Sequence, residues 1–206
     1  MVNKDLSKAT TRMRASDRRR QLLDVATNVF AERGFSATIM DDIAFAGGIT
    51  KPVLYQHFDS KRALYIAVLE DGGSRLIDGI SKATSKGQTL REQMSFGFEA
   101  YFDFVRDDEA AFRLLFTASA KSDKDFVEIK NKVLGQFCDR VTELISNDIN
   151  AEERRLVAHS VIGMAERAAK FFYLLEVDSE VTNITEEQFR KWVVDLAWKG
   201  MRGISE

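Results

Sequence analysis

The apolar residues in the first third of the chain recur every three or four positions, in three groups separated by glycines. The first group predicts a helix over residues 17–33 that ends at Gly34, because glycine is favoured directly after the last turn of a helix. The second predicts a shorter helix that stops at the Gly47-Gly48 pair, and the third predicts a short helix over residues 50–58. The inward faces consist of Leu22, Leu23, Ala26, Val29 and Phe30 in the first helix, Met40, Ile43 and Ala44 in the second, and Leu54 and Phe58 in the third.

The third of these helices presents polar and basic groups outward, at Lys51, Tyr55 and Gln56. Thr50 is the predicted N-cap, since its hydroxyl accepts a hydrogen bond from the first free backbone N–H groups. Pro52 suits the first turn, where no N–H partner is needed. Two helices joined by a Gly-containing turn, the second with this surface, predict a helix-turn-helix, whose second helix enters the major groove of DNA.

Beyond residue 60 the helical spacing of apolar residues continues to the end of the chain. Polar residues three apart predict capping boxes at Asn150–Glu153 and Thr185–Gln188. Thr38 is the predicted cap of the second helix and Ser60 that of the fourth. Six further helices are predicted over about residues 66–83, 89–106, 108–117, 124–145, 151–175 and 186–202.

Length and composition exclude several classes of protein. The 206 residues suffice for one large domain or two small ones, and the single proline, Pro52, leaves the other helices free to run long. No apolar run reaches the roughly 20 residues that span a bilayer, and the N-terminus lacks the apolar core of a signal peptide. The lone cysteine, Cys138, excludes an intrachain disulfide. These features predict an all-α protein of the cytoplasm with no membrane partner.

The chain also lacks the residue groups that an enzyme needs. It has two histidines, His57 and His159, and one cysteine. No metal-ligand spacing, phosphate-binding loop, nucleophile elbow or dinucleotide fingerprint occurs in it. We therefore expect neither a catalytic site nor a metal or cofactor.

Positive charge is concentrated at the N-terminus. Residues 1–20 hold seven Lys or Arg and two Asp, which leaves −7 for residues 21–206 out of a total of −2. A basic arm ahead of a helix-turn-helix neutralises DNA phosphates and releases counterions. Residues 1–16 are therefore predicted to form a disordered arm that contacts DNA, and the alternative is a solvated tail with no specific role.

The sequence around these helices carries motifs that occur together: Phe30-x-x-x-Gly34-Phe35, Thr38, Asp42-Ile43-Ala44, Gly48-Ile49-Thr50-Lys51, Leu54-Tyr55-Gln56-His57-Phe58, Ser60-Lys61 and Leu64. The combination resembles the DNA-binding domain of the TetR family of transcriptional regulators. The resemblance implies an all-helical homodimer whose helix-turn-helix domain, here residues 17–64, binds a palindromic double-stranded DNA operator. It also implies a C-terminal helical domain, residues 65–206, that binds a small effector and dimerises.

Within the third helix, Lys51 is the predicted base contact, because a lysine reaches O6 and N7 of guanine. Pro52 and Val53 are expected to touch a thymine methyl. The resemblance puts Thr38, Tyr55, His57 and Lys61 at phosphate-contacting positions. Packing beneath the next helix would also explain Tyr55, and a partly buried position at the helix end would also explain His57. The full predicted DNA-binding set is Thr38, Thr50, Lys51, Pro52, Val53, Tyr55, Gln56, His57 and Lys61.

The C-terminal two-thirds holds most of the 15 phenylalanines of the chain. Together these rings favour an apolar effector, whereas any single Phe at helical spacing is more often a core residue. A charged ligand would need convergent polar groups. The predicted effector pocket consists of Phe98, Phe102, Phe112, Leu115, Phe116, Phe137, Met164, Ala168 and Phe171.

The last two helices are predicted to form the dimer interface. Small residues such as Gly163 and Gly200 let helices approach closely, and two helices from each chain would make a four-helix interface. The alternative is that these apolar stripes only complete the core of one chain. The predicted interface residues are Val157, Val161, Phe189, Trp192, Val193, Leu196 and Gly200.

A narrower resemblance reaches into the effector domain. It rests on Lys51-Pro-Val-Leu-Tyr-Gln-His-Phe, Leu64-Tyr65-x-Ala67-Val68-Leu69, Phe102-Asp-Phe-Val-Arg-Asp-Asp with Phe112-Arg-Leu-Leu-Phe, and Leu196-Ala-Trp-x-Gly200. These motifs resemble the actinobacterial TetR-type regulators of fatty-acid synthase genes. The resemblance implies a long-chain acyl-CoA or fatty acid as effector and lipid biosynthesis genes as targets.

Two alternative functions are also consistent with the sequence. One is a TetR-type repressor of an efflux or catabolic operon that responds to another hydrophobic ligand. The other is a helical lipid-binding protein without a DNA function.

The helix over residues 66–83 joins the two predicted domains, so effector binding is expected to act through it. A shift there would change the separation of the two recognition helices, whereas successive major-groove half-sites lie about 34 Å apart on B-DNA. The ligand would act only through its different affinity for the two states.

Overall fold

The computed structural model describes residues 15–117, 124–145, 149–174 and 183–202. Regular structure in these ranges is helical throughout, which confirms the predicted all-α fold. In chain order the helices are α1 (Ala15–Ala37), α2 (Met40–Ala46), α3 (Lys51–His57), α4 (Lys61–Thr84), α5 (Leu90–Asp107), α6 (Glu109–Phe112) with a π-helical turn at Arg113–Thr117, α7 (Lys124–Glu143), α8 (Ala151–Tyr173) and α9 (Glu186–Arg202).

The chain divides into two compact units, Met1–Tyr65 and Ile66–Glu206, and the boundary falls within α4. Helix α1 begins at Ala15, so the end of the predicted basic arm is already helical. The rest of that arm, residues 1–14, lies outside the described residues.

The N-terminal unit has one apolar core and a backbone break within α1. At Gly34 the backbone takes φ 75°, a left-handed conformation that interrupts α1 where the sequence predicted the helix to end. The ring of Tyr65 meets Phe30 edge-on, with ring centroids 4.9 Å apart. The apolar side chains buried most completely here are Leu22, Ala26, Phe30, Ile43, Leu54 and Leu64.

Two of the predicted helix caps differ from the structure. Ile39, rather than Thr38, occupies the N-cap of α2, and its backbone N–H donates to Asp42 Oδ2 at 3.0 Å. Thr38 is fully buried, and its hydroxyl donates back to the Gly34 carbonyl at 2.8 Å, so the residue belongs to the end of α1 and not to the cap of α2. Thr50 does occupy the N-cap of α3, but its side chain makes no capping hydrogen bond.

The predicted caps of the later helices are confirmed. Ser60 Oγ accepts from the Ala63 N–H at 3.0 Å. Asn150 Oδ1 accepts from the Glu153 N–H at 2.9 Å, and the Glu153 carboxylate accepts in return from Asn150. The same reciprocal pair forms at Thr185–Gln188. A further capping box at Thr89–Glu92, which the sequence analysis did not identify, begins α5.

In the C-terminal unit, α5 packs on both α8 and α9, and α7 packs on α8. Residues 108–117, predicted as one helix, form α6 and the π-helical turn, in which the adjacent Leu114 and Leu115 are both buried. Phe172 and Phe189 stack with ring centroids 4.3 Å apart and join α8 to α9. An added Cβ at Gly73 would lie 2.2 Å from the Val133 side chain, so glycine permits the close approach of α4 and α7.

Candidate DNA-binding surface and effector cavity

Helix α3 is a short helix anchored by one buried side chain. Leu54 is completely buried, and Phe58, directly after the helix, is nearly so. The remaining positions lie at the surface: Thr50, Lys51, Pro52, Tyr55 and Gln56 are exposed, and Val53 and His57 are half-buried. The predicted contact set on α3 is therefore held together on one short element without being needed for the core.

The Lys51 ammonium pairs with the carboxylate of Asp41 on α2, at 3.1 Å. Both side chains are about half exposed, and exposed ion pairs contribute only about 0–1 kcal/mol. A DNA base or phosphate would therefore displace Asp41 at little cost.

Lys61 and Thr38 are placed differently from the α3 residues. The Lys61 ammonium donates to the carbonyls of Phe35 and Thr38, each at 2.8 Å, and lies 4.3 Å from the centre of the Phe35 ring. It ties the start of α4 to the segment between α1 and α2. With Thr38 buried and two Lys61 N–H donors already used, the phosphate contacts predicted for these two residues stay predictions.

A cavity of about 70 Å³ lies within the C-terminal unit. It receives side chains from α4, α5, α7, α8 and α9, and its surface is almost entirely apolar. The described residues that line it are Ile80, Leu90, Gln93, Met94, Gly97, Phe98, Tyr101, Phe137, Val141, Leu144, Ile145, Val161, Ile162, Ala165 and Met201.

The structure brings two of the predicted pocket residues, Phe98 and Phe137, to this cavity. The other predicted pocket residues do not line the cavity. Buried in the core away from its wall are Phe102, Phe112 and Leu115, partly buried are Phe116, Met164 and Ala168, and Phe171 is exposed.

Tyr101 is the functional candidate that the sequence analysis left out of the pocket. Its side chain is 2% exposed, and its hydroxyl has no hydrogen-bond partner among the described residues. Burial raises the pKa of this hydroxyl well above its usual value, and the negative charge of Glu166 raises it further, so the group is protonated. From the sequence, an aromatic residue at helical spacing is interpreted as a core residue. Only the positions of the neighbouring helices show that the Tyr101 oxygen lacks a partner.

The α8–α9 apolar surface, as we call it, consists of four large exposed side chains: Leu156, Phe171, Trp192 and Leu196. Trp192 is 58% exposed and Leu196 is 64% exposed. Apolar groups of this size are typical of protein interfaces where they form a contiguous patch. Of the remaining predicted dimer residues, Gly200 is exposed, Val161 and Val193 are half-buried, and Val157 and Phe189 are buried in the core of one chain.

Candidate metal sites and membrane-spanning helices are both absent from the described ranges. These ranges hold no cluster of His, Cys, Asp or Glu that is placed to bind a metal ion. Nor do those ranges include a helix that is both long and apolar enough to cross a membrane.

Residues 22–68 match the family model described as bacterial regulatory proteins, tetR family. The chain is 35% identical over 193 residues to the HTH-type transcriptional activator FasR of Mycolicibacterium smegmatis, covering 92% of this chain and 85% of that protein. The fold is also similar to FadR of Bacillus subtilis in complex with stearoyl-CoA, with a TM-score of 0.70, 15% identity and coverage of 86% and 96%. AibR in complex with isovaleryl coenzyme A and operator DNA gives a TM-score of 0.66 at 18% identity, with coverage of 87% and 97%.

Proposed function

Because this chain belongs to the TetR family of transcriptional regulators, we propose that a long-chain acyl-CoA controls its affinity for operator DNA and that it regulates lipid biosynthesis genes. The observation that carries the proposal is the similarity to FasR, which extends through both units of the chain. Two structures of similar fold, bound to stearoyl-CoA and to isovaleryl coenzyme A, support an acyl-CoA as the class of effector.

On the DNA side, each copy of α3 enters one major groove. Lys51 leaves Asp41 and donates to a guanine edge, while Pro52 and Val53 contact a thymine methyl. Tyr55 and His57 contact phosphates, which fixes the register and supplies salt-dependent affinity. Two half-sites about 34 Å apart require two copies of the helix in a fixed relation.

The α8–α9 apolar surface supplies that relation by pairing with the same surface of a second chain. Trp192 and Leu196 lie one turn apart on α9, and Gly200 follows after one more turn, so one face of the helix carries two bulky residues and then a small one. Burying such a surface against its copy gives a two-fold interface of four helices.

On the effector side, the cavity must widen. Its 70 Å³ is well below the roughly 300–1,000 Å³ of sites that enclose whole ligands. An acyl chain would therefore separate the helices that line the cavity. A state with a widened cavity that binds the ligand more tightly than the closed state is the condition for control by an effector.

Helix α4 is the element through which we expect that change to reach the DNA-binding unit. Ile80, near its end, lines the cavity, and Leu64, near its start, is fully buried in the N-terminal unit. A displacement of Ile80 would be carried along one continuous helix to the residue that supports the helix-turn-helix.

The test uses full-length protein and genomic fragments that the protein itself selects. Fluorescence anisotropy at two salt concentrations measures operator affinity, with and without palmitoyl-CoA. We expect salt-dependent binding that palmitoyl-CoA changes. Binding that palmitoyl-CoA leaves unchanged would favour another hydrophobic ligand and a different operon, whereas a selection that enriches no fragment would favour a lipid-binding protein without a DNA function.

A further inference from the structure

The Tyr101 hydroxyl is a buried polar group for which the described residues provide no partner. Leaving such a group unpaired lowers stability, so native proteins satisfy nearly all of them. The hydroxyl belongs to a residue that lines the apolar cavity. A polar ligand atom bound in the cavity would satisfy it.

Aromatic neighbours fix the position of the Tyr101 ring. The Phe137 ring lies parallel to it, with centroids 6.1 Å apart, and the rings of Phe112 and Phe116 meet it edge-on at 6.2 Å. A ring held on several sides cannot swing its oxygen to solvent without opening the core. The hydroxyl is therefore a buried donor whose position is fixed before any ligand arrives, on a residue that lines the cavity.

The other polar residue of the wall, Gln93, is already engaged. Its side-chain N–H donates to the Gly87 carbonyl at 3.3 Å. Gln93 precedes Tyr101 by eight residues on α5, which places it about 12 Å away along the helix axis. Among the described lining residues, no other polar side chain lies near Tyr101.

The charge of the cavity lining determines which kind of ligand oxygen can accept a hydrogen bond from Tyr101. The described lining residues include no Lys, Arg or His, and a free carboxylate pays a large desolvation cost in such surroundings. The nearby carboxylate is that of Glu166, which is itself paired with Lys170 at 2.5 Å. A protonated hydroxyl in an apolar wall suits a neutral acceptor, such as the carbonyl of an ester or a thioester.

Building on the effector role proposed above, we propose that Tyr101 is the specificity-determining residue of the cavity, and that its hydroxyl donates a hydrogen bond to the carbonyl oxygen of a bound acyl thioester. The cavity then distinguishes an acyl thioester from a plain hydrocarbon chain and from a free fatty acid. The surrounding apolar residues bind the chain itself, and Tyr101 recognises the bond through which the chain is attached.

The experiment compares two ligands that differ only at the recognised atom. Palmitoyl-CoA carries the carbonyl, and S-hexadecyl-CoA, a thioether, has a methylene in its place. Isothermal titration of the full-length protein measures both dissociation constants for the wild type and for Tyr101→Phe. We expect Tyr101→Phe to weaken palmitoyl-CoA binding about fivefold to tenfold, the effect of one neutral hydrogen bond, and to leave S-hexadecyl-CoA binding unchanged.

A matched control separates recognition from packing. Phe98→Leu alters the same wall without removing a polar atom, so it should weaken both ligands by the same factor. Tyr101→Phe should also raise the melting temperature of the ligand-free protein, because it removes an unpaired buried hydroxyl. That rise would show that any loss of binding does not come from unfolding.

The outcomes distinguish this inference from the proposed function. Equal effects of Tyr101→Phe on both ligands, or no effect on either, would overturn the role of Tyr101 while leaving the acyl-CoA effector standing. Wild-type protein that binds neither ligand would overturn the acyl-CoA effector and the role of Tyr101 together.

Discussion

Helix α3 carries its candidate functional residues on its exposed face, whereas helix α5 carries them on its buried face. Helix α3 has seven residues, buries only Leu54 and turns its contact set outward. Helix α5 has eighteen residues, and the cavity-lining Phe98 and Tyr101 belong to the same buried face as Phe102. On α3, binding and folding use different residues, whereas on α5 they use the same ones. Substitutions should therefore separate the two properties in α3 and couple them in α5.

The largest expected effect on stability comes from a substitution on the buried face of α5. Phe102 is fully buried, and its ring lies 5.0 Å from that of Phe189 on α9. Phe102→Ala should lower the free energy of unfolding by about 3–5 kcal/mol through lost burial and a cavity. Urea denaturation measures this. Tyr55→Ala, on the exposed face of α3, is the control and should stay within about 0.5 kcal/mol of the wild type.

A smaller effect is expected where the outer edge of α5 meets α9. The Arg190 guanidinium, about one-tenth exposed, donates to Glu99 at 2.6 Å and Asp103 at 2.9 Å on α5, and to Glu186 at 2.7 Å. Arg190→Met keeps the apolar stem but removes a cation that three carboxylates share, of which only Asp103 and Glu186 keep Arg106 as a partner. We expect a loss of about 2 kcal/mol, as for hydrogen bonds to charged groups.

The same denaturation series tests the Arg190 prediction. Arg91→Met removes a more exposed ion pair between the same two helices, with Asp195 at 3.4 Å, and should have little effect. Equal midpoints for the two variants would show that burial does not strengthen the Arg190 contacts.

The complementary prediction concerns the outward face of α3. Lys51→Ala should weaken operator binding by about 1–3 kcal/mol, the discrimination expected from one base contact, without moving the unfolding midpoint. Asp41→Asn is the sharper partner variant, because it frees Lys51 and removes a negative charge near the phosphates. It should strengthen binding, and an Asp41→Asn protein that binds DNA more weakly would contradict the assignment of Lys51.

The contrast between the two helices also explains how far the sequence could be interpreted. Gly34, Pro52 and the Gly47-Gly48 pair delimit the helix-turn-helix, so local signals suffice to place the outward residues of α3. Capping boxes fix the starts of α8 and α9 in the same way. Such signals act over one helical turn and do not depend on packing between distant helices.

Cavity and core cannot be separated by those signals. Phe98 and Phe102 lie four residues apart on one buried face of α5, yet only Phe98 lines the cavity. The difference depends on where the backbones of neighbouring helices lie, which the spacing of apolar residues does not encode. Lys61 shows the same limit for a polar group, since its carbonyl partners, Phe35 and Thr38, are more than twenty residues away along the chain.

The smallest expected effect concerns pH and the outer edge of α5. Burial alone would raise the pKa of Glu186, but hydrogen bonds from Tyr173 and Arg190, together with the charge of Arg190, hold that pKa below its usual value. A folded-state pKa below the unfolded value, which is about 4.3, stabilises the protein above the unfolded pKa. This contribution is lost as pH falls through the folded-state pKa.

Glu186→Gln should therefore lower the melting temperature at about pH 6, where the carboxylate is ionised, and reduce the further drop between about pH 6 and pH 3. Glu187→Gln, a change at the exposed neighbouring carboxylate, should keep the wild-type drop. If Glu186→Gln and the wild type lost equal stability on acidification, the ion pair between Glu186 and Arg190 would not link protonation to the packing of α9. The outward face of α5 would then resemble α3, with charges that folding does not require.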